Sequence, residues 1–369
     1  MATSTDPFIT GKPDLRLENI PSFLKTTFNI TCANVKPLES YDDQNFRIEE
    51  QTTKKRYVLK ILNHEYTRTE EVVHLTVSRI MSYLRDQGLP CQKTHFTKNM
   101  KIKTAGGEEL DCLVRVIDYL EGVDLSSILP LSENCFVELG EYMKKIHDLT
   151  KNAENIPEIK NIDSIKNRVY LWDISRWNVN FEEYIEKIED QEIKTMVRRT
   201  QSDFARVYEI LDKNKTFIHT DLNLQNILGA NLDTDSVDVE GKPCKLKKIT
   251  GLLDFNDSAY LNPVYDIGNL LAYCCNNCID HHGEHVFGDV CKLILKGYNA
   301  DEVIVDAMKE CLYTCLCSRL CQSVSCALAK VKEEPENSEY LLIDAGPAMR
   351  TLKILSKYDK DGFNKLVFA

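Results

Sequence analysis

Nowhere in the 369 residues does an apolar run approach the roughly 20 residues that a bilayer-crossing helix needs, so no membrane span is expected. The start, Met1 to Thr10, lacks the apolar centre of a secretory signal, and no leader is expected. Positive charge is in deficit: 46 Lys and Arg face 57 Asp and Glu, a formal net charge of −11. A nucleic-acid partner needs a clustered excess of Lys and Arg to neutralise phosphates, so none is expected, and a small cationic substrate suits the sign better. Internal repeats and low-complexity segments are absent too. Cysteine is not scarce. Fourteen of them without a secretory signal read as free thiols in a reducing compartment, with the cytoplasm as the expected location.

What is present suits a soluble globular chain long enough for two domains, with 43% hydrophobic and 28% charged residues. Helical spacing of Leu15, Leu17, Ile20, Phe23, Leu24 and Phe28 predicts a helix over Pro13 to Phe28. Strand chemistry follows around Asn34–Lys36, Gln44–Glu50 and Arg56–Ile61, with a turn at Tyr41-Asp42-Asp43. A helix over Thr69 to Gln87 stops at Gly88-Leu89-Pro90, and further strands are expected near Lys93–Phe96 and Leu110–Leu120. The boundary falls at Glu121-Gly122-Val123-Asp124, dividing residues 1–120 from 121–369. Beyond it the apolar spacing is mainly helical, over Asn134–Leu149, Phe181–Leu211, Ala300–Lys332 and Tyr340–Tyr358. Trp172 and Trp177 read as packing anchors. The expected class is α+β, a small antiparallel-sheet lobe followed by a larger, mainly helical one.

Cys274, Cys275, Cys278, His281, His282 and His285 have partly zinc-like spacing, but a structural zinc site usually has two separated ligand pairs. Core thiols on an apolar helix followed by a polar loop is the expected reading, with no metal.

The chemistry is concentrated in Phe217-Ile218-His219-Thr220-Asp221-Leu222-Asn223-Leu224-Gln225-Asn226-Ile227-Leu228, a polar loop between apolar strand ends. Asp221 and Asn226, five positions apart, let one side chain face a substrate hydroxyl while the other turns to a metal ion. A second acid, Asp254, ends the apolar run Ile249 to Leu253. This order resembles kinase catalytic loops, in which an Asp orients the nucleophile while an Asn and a later Asp hold Mg2+. Lys60, alone in the apolar run Tyr57 to Ile61, matches the lysine that meets the α- and β-phosphates. A protein kinase is disfavoured: there is no Gly-x-Gly-x-x-Gly, no Arg after His219, and little room for an activation segment between Asp254 and Tyr265.

The full set, Lys60, His219-Thr220-Asp221-Leu222 with Asn226, Leu253-Asp254-Phe255 and Asp266, resembles the aminoglycoside phosphotransferase family of small-molecule kinases. The resemblance implies a two-lobed protein-kinase-like fold, Mg2+, and GTP or ATP as phosphoryl donor. It implies Asp221 as base with His219 beside it, Asn226 and Asp254 as metal ligands, and Lys60 on the phosphates. The turn Tyr41, Asp42, Asp43, Gln44 and Asn45 would cover the nucleotide through backbone amides, and Asp266 would brace the catalytic loop. Tyr41–Phe46, Tyr57–Ile61, Gly251–Phe255 and Cys317–Ser323 narrow the resemblance to members acting on a small cationic hydroxylated compound. Arg319 would then pair with a substrate carboxylate, and Asp257 or Asp43 with an ammonium group. Enzymes of the same fold acting on choline, ethanolamine, homoserine or a sugar remain alternatives, as does a catalytically dead binding module. Two departures from the family pattern stand out. Thr220 occupies a position where the family commonly has Gly, and the helix acid expected beside Lys60 falls on Val77, leaving Glu70 and Glu71 as substitutes.

Overall fold

The structure is a computed structural model that describes residues 10–38, 40, 43–333 and 338–368. The chain divides into two compact units, Met1–Glu121 with Pro157–Ser164, and Gly122–Ile156 with Ile165–Ala369.

The first unit is built on five antiparallel strands, β1 (Cys32–Leu38), β2 (Gln44–Glu50), β3 (Arg56–Ile61), β4 (Thr94–Lys103) and β5 (Glu109–Asp118), in the order β1-β2-β3-β5-β4. Alternation along each strand sends Phe46, Ile48, Leu59, Ile61, Val114 and Val116 to one face, where they pack with Ile20 and Leu24 of α1 (Ile20–Phe28). Lys60 and Arg115, directly opposed across β3 and β5, therefore point to the other face. Strand β4 is longer than Lys93–Phe96; its outer part, Thr97-Lys98-Asn99, is exposed at the sheet edge, where charge protects a strand rather than hiding it. Helix α2 (His64–Asp86) is kinked at Glu70, beside the expected start at Thr69, and an added first segment begins five residues earlier where Asn63 caps it, its side chain accepting the Glu65 N–H at 3.0 Å. Segment Pro157–Ser164 joins this unit by seating on Thr76, whose hydroxyl lies 3.3 Å from the Lys160 carbonyl and 3.2 Å from the Ser164 hydroxyl.

The second unit is mainly helical: α3 (Glu133–Thr150), α4 (Gln191–Leu211), α5 (Pro263–His282), α6 (Phe287–Tyr298), α7 (Glu302–Glu333), α8 (Ser338–Leu355) and α9 (Lys360–Phe368). The continuous helix expected over Phe181–Leu211 is broken. Asp190 starts a new one by accepting the Glu192 and Ile193 N–H groups at 2.9 and 3.1 Å. Helix α5 is buried along most of its length and packs against α7 and α6. Helices α3 and α6 approach so closely that a Cβ on Gly140 would lie 2.1 Å from the Ile294 carbonyl oxygen, and one on Gly297 1.9 Å from that of Val137. Only glycine fits at either position. Small sheets complete the unit: β6 (Val123–Asp124), β8 (Ile227–Val237) and β9 (Pro243–Leu252) form one, β7 (Thr216–Ile218) and β10 (Ala259–Leu261) the other. All fourteen cysteines are free. Among the described residues, no helix is long and apolar enough to cross a membrane.

Candidate active site

Strand β7 delivers the polar loop, and α5 receives it. The Asp266 carboxylate, with no exposed surface, accepts the His219 N–H at 2.9 Å on one oxygen and the Thr220 N–H at 2.7 Å on the other. His147 lies 3.1 Å from the same carboxylate and is itself 2.9 Å from the Tyr298 hydroxyl. Burial pushes the Asp266 carboxyl upward, but the hydrogen bond and charge of His147 outweigh it and hold the group below its ordinary value. Asn269, one turn on, donates to the Thr220 carbonyl at 2.6 Å.

Thr220 has φ +67°, a left-handed conformation that a β-branched residue adopts at a cost of about 1–3 kcal/mol. Three bonds offset that cost: its N–H on Asp266, its carbonyl on Asn269, and its hydroxyl donating to the Asp257 carbonyl at 2.7 Å. The loop thus takes the backbone path that a glycine would take. His219 is fully buried; its Nδ1 accepts the Asp221 N–H at 3.3 Å, so Nε2 carries the proton given to the Leu253 carbonyl at 2.8 Å. Burial pushes the ring's pKa below its ordinary value, against the opposing pull of Asp266. His219, expected beside the base, has both ring nitrogens engaged, one on the Asp221 N–H and one on the Leu253 carbonyl.

Asp221 is held on every side. One carboxylate oxygen accepts from the Tyr273 hydroxyl at 3.0 Å and from Arg319 Nη2 at 3.0 Å; the other accepts from Asn223 at 3.1 Å and Asn226 at 2.9 Å. Burial raises its carboxyl above the ordinary value, with Asp254 adding to the effect and Arg319 and Tyr273 opposing it. The Asn226 amide nitrogen also donates to the Asp221 carbonyl at 2.9 Å, which turns Oδ1 away and leaves it without a hydrogen-bond partner among the described residues. The Asn226 carbonyl accepts the Leu253 N–H at 2.8 Å, and Ile227 pairs with Leu252. These bonds bring Asn226 and the exposed Asp254 to the same end of the β8–β9 hairpin. An amide oxygen and a carboxylate are hard donors that fit Mg2+.

Around the carboxylates lies a wall of rings and guanidinium groups. Arg319 is 7% exposed, lies over the rings of Trp172 and Tyr273 at 5.6 and 5.2 Å, donates from Nε to the Tyr273 hydroxyl at 2.8 Å, and donates from Nη1 to Gln322 at 2.8 Å. Expected on a substrate carboxylate, its guanidinium is committed to Asp221, Tyr273 and Gln322. Arg168 donates to the carbonyls of Asn256 and Ser258 at 2.8 and 3.1 Å and stacks over Tyr170, whose hydroxyl donates to the Asp257 carbonyl at 2.6 Å. Burial, with Asp221 next, lifts the Asp257 carboxyl to about 6.

In the first unit, Lys60 is 9% exposed and lies 3.3 Å from Asp43, whose other oxygen accepts the Asn63 N–H at 3.0 Å. Asp43 is thus one carboxylate beside Lys60, while Glu70, the helix acid named as a substitute, is buried at 9% exposure in α2 and lies 3.8 Å from His74. The Gln44 amide is spent on both backbone groups of Leu15, at 2.9 and 3.1 Å, and Asn45 faces Lys60 across the strands. Tyr41 and Asp42 lie outside the described residues.

Sequence reasoning passed over Tyr273, Asn269, Arg168 and Tyr170, and read Trp172 as a packing anchor. One signal was available: Asp266, Asn269 and Tyr273 follow at helical spacing as polar residues on the largely apolar first three turns of the helix, and all three reach the catalytic loop.

Residues 34–281 match the profile of the phosphotransferase enzyme family, and the chain belongs to that family. The fold agrees: the chain resembles a solved structure of a candidate aminoglycoside phosphotransferase from Ralstonia eutropha, with a TM-score of 0.57 at 11% identity over 95% of this chain and 99% of that one. Along its length the chain is similar to the hydroxylysine kinase of Xenopus laevis, 27% identical over 97% of this chain and 94% of the relative. It is similar too to the hydroxylysine kinase of Bos taurus, 25% identical over 93% and 89%. It is a phosphotransferase with a kinase-like fold.

Proposed function

We propose that the protein transfers the γ-phosphoryl group of GTP or ATP to the side-chain hydroxyl of 5-hydroxy-L-lysine. The observation that carries the reading is the Asp221 carboxylate, fixed by four donors in a loop whose own backbone is fixed by Asp266. Its full-length similarity to hydroxylysine kinases supports the acceptor. Asp221 orients the hydroxyl and takes its proton as the phosphoryl group transfers. Arg319 and Tyr273 keep the carboxylate aimed. Asn226 and Asp254 would hold Mg2+, which when bound neutralises charge on the phosphates. Lys60, steadied by Asp43, meets the α- and β-phosphates, with the Gln44–Asn45 backbone near them. Asp257 faces the substrate's ammonium group, and the deficit of positive charge favours such a cation. Preorganised charge and orientation carry most of the rate enhancement.

The test is phosphoryl transfer by the purified chain with Mg2+ and either nucleotide, offering 5-hydroxy-L-lysine, L-lysine, ethanolamine, choline and homoserine. Turnover of hydroxylysine and none of lysine identifies the hydroxyl as acceptor, and the faster nucleotide is the donor. Turnover of another alcohol alone moves the substrate. Silence on all of them overturns the reading in favour of a binding module.

A further inference from the structure

The β8–β9 hairpin ends in a turn built on Asp238, which is 2% exposed. One of its carboxylate oxygens accepts the N–H groups of Glu240 and Lys242, both at 2.9 Å. The other accepts no hydrogen bond among the described residues, and the carboxylate lies within reach of Glu240 and His282. Glu240 projects from this turn onto the end of α5. One of its oxygens lies 2.8 Å from Nδ1 of His282, whose side chain is 5% exposed; the other lies 3.1 Å from Nε2 of His285, which is exposed. A ligand atom from each of Asp238, Glu240 and His282 falls within 4.8 Å of the other two. Three residues from two separate parts of the chain thus converge, and the exposed His285, outside that group, reaches Glu240 from the rim and would join an ion by turning its side chain inward.

We infer that Asp238, Glu240, His282 and His285 form a binding site for a transition-metal cation of the Zn2+ type. Two imidazole nitrogens and two carboxylate oxygens are the donors that such an ion takes in four-coordinate sites, whereas Mg2+ prefers oxygen alone. The Lys242 ammonium, 2.7 Å from Glu240, sits on a side chain that is 66% exposed and leaves without disturbing the turn. The thiols Cys274, Cys275 and Cys278, which gave the sequence its zinc-like look, are buried within α5 and take no part. The site is structural in character. It fastens the hairpin tip to α5, while Asn226 and Asp254 stand at the hairpin's other end, roughly 30 Å away along a strand of about ten residues.

The test titrates Zn2+ into the full-length chain after chelator treatment, in millimolar Mg2+ and without nucleotide. One equivalent should bind and raise Tm by roughly 3–6 °C. Affinity should fall at least tenfold in Glu240→Gln and in His285→Ala, the latter an exposed residue whose loss spares the fold, and should persist in Asp254→Asn. Phosphoryl transfer by His285→Ala with Mg2+ should match the wild type. Co2+ in place of zinc should show visible bands of a four-coordinate nitrogen and oxygen site without thiolate charge transfer. Absence of zinc binding, unchanged affinity in both Glu240→Gln and His285→Ala, or a thiolate charge-transfer band would each overturn the assignment.

Discussion

At its N-terminal end α5 presents Asp266, Asn269 and Tyr273 to the catalytic loop; at its C-terminal end His282, with His285 just beyond, meets Glu240 at the hairpin tip. The first contact is centred on the buried Asp266 carboxylate and Asn269 amide, whose bonds to the N–H groups of His219 and Thr220 and to the Thr220 carbonyl fix the loop backbone, with Tyr273 adding a side-chain bond to Asp221. The second is made by side chains alone and is open to water at His285. On the proposed function, in which the Asp221 carboxylate must meet a hydroxyl within a fraction of an ångström, the site needs the first kind of support. A hairpin tip that has only to stay docked can use the second, and its open donors leave room for an ion.

The comparison breaks most readily at the catalytic end. Asp221→Asn keeps the shape but removes the carboxylate proposed as proton acceptor, so kcat should fall by about 10²–10⁴-fold with little change in nucleotide affinity, measured by steady-state kinetics and calorimetry. Asp266→Ala removes a buried charge bonded to His147, His219 and Thr220; denaturant unfolding should show a loss of about 3–5 kcal/mol, against a far smaller change for His285→Ala. Equal losses at the two sites would erase the contrast between the helix ends.

Asp257 sharpens the picture through pH. Its carboxyl is raised from 3.8 to about 6, so its protonated form favours folding below the ordinary value and that contribution is lost as pH rises through about 6. Asp257→Asn lacks the loss, so its stability relative to wild type should grow by about 1–3 kcal/mol between pH 4 and pH 8. A difference that stays flat with pH would mean the carboxyl is not held in that environment. Smallest of all is Thr220→Gly. It relieves the left-handed strain but gives up the hydroxyl bond to Asp257 and adds freedom to the unfolded chain, so the net change should stay within about 1 kcal/mol.

Much of this was legible from local pattern. Strands β2 and β3 lie where alternation puts them, and the loop order His219, Asp221, Asn226 with Asp254 later suffices to suspect kinase chemistry. What stayed hidden depends on partners distant in sequence. Arg319 reaches Asp221 across 98 positions, and nothing in its own helix reveals that its charge is spent on that carboxylate. The outer half of β8, Asn231 to Val237, is mostly polar and exposed, so it lacks the alternation that marks a half-buried strand. The histidines near the end of α5 looked like a polar loop because Glu240, which makes them a cluster, stands 42 and 45 residues upstream.

The most direct test of the account is 31P NMR of the product formed from 5-hydroxy-L-lysine by the wild type and by Asp221→Asn. The account predicts a phosphate monoester coupled to the proton on the hydroxyl-bearing carbon, formed by the wild type and nearly lost in the variant. A phosphoramidate on an amine, nucleotide hydrolysis alone, or an ester formed equally fast without the Asp221 carboxylate would contradict it.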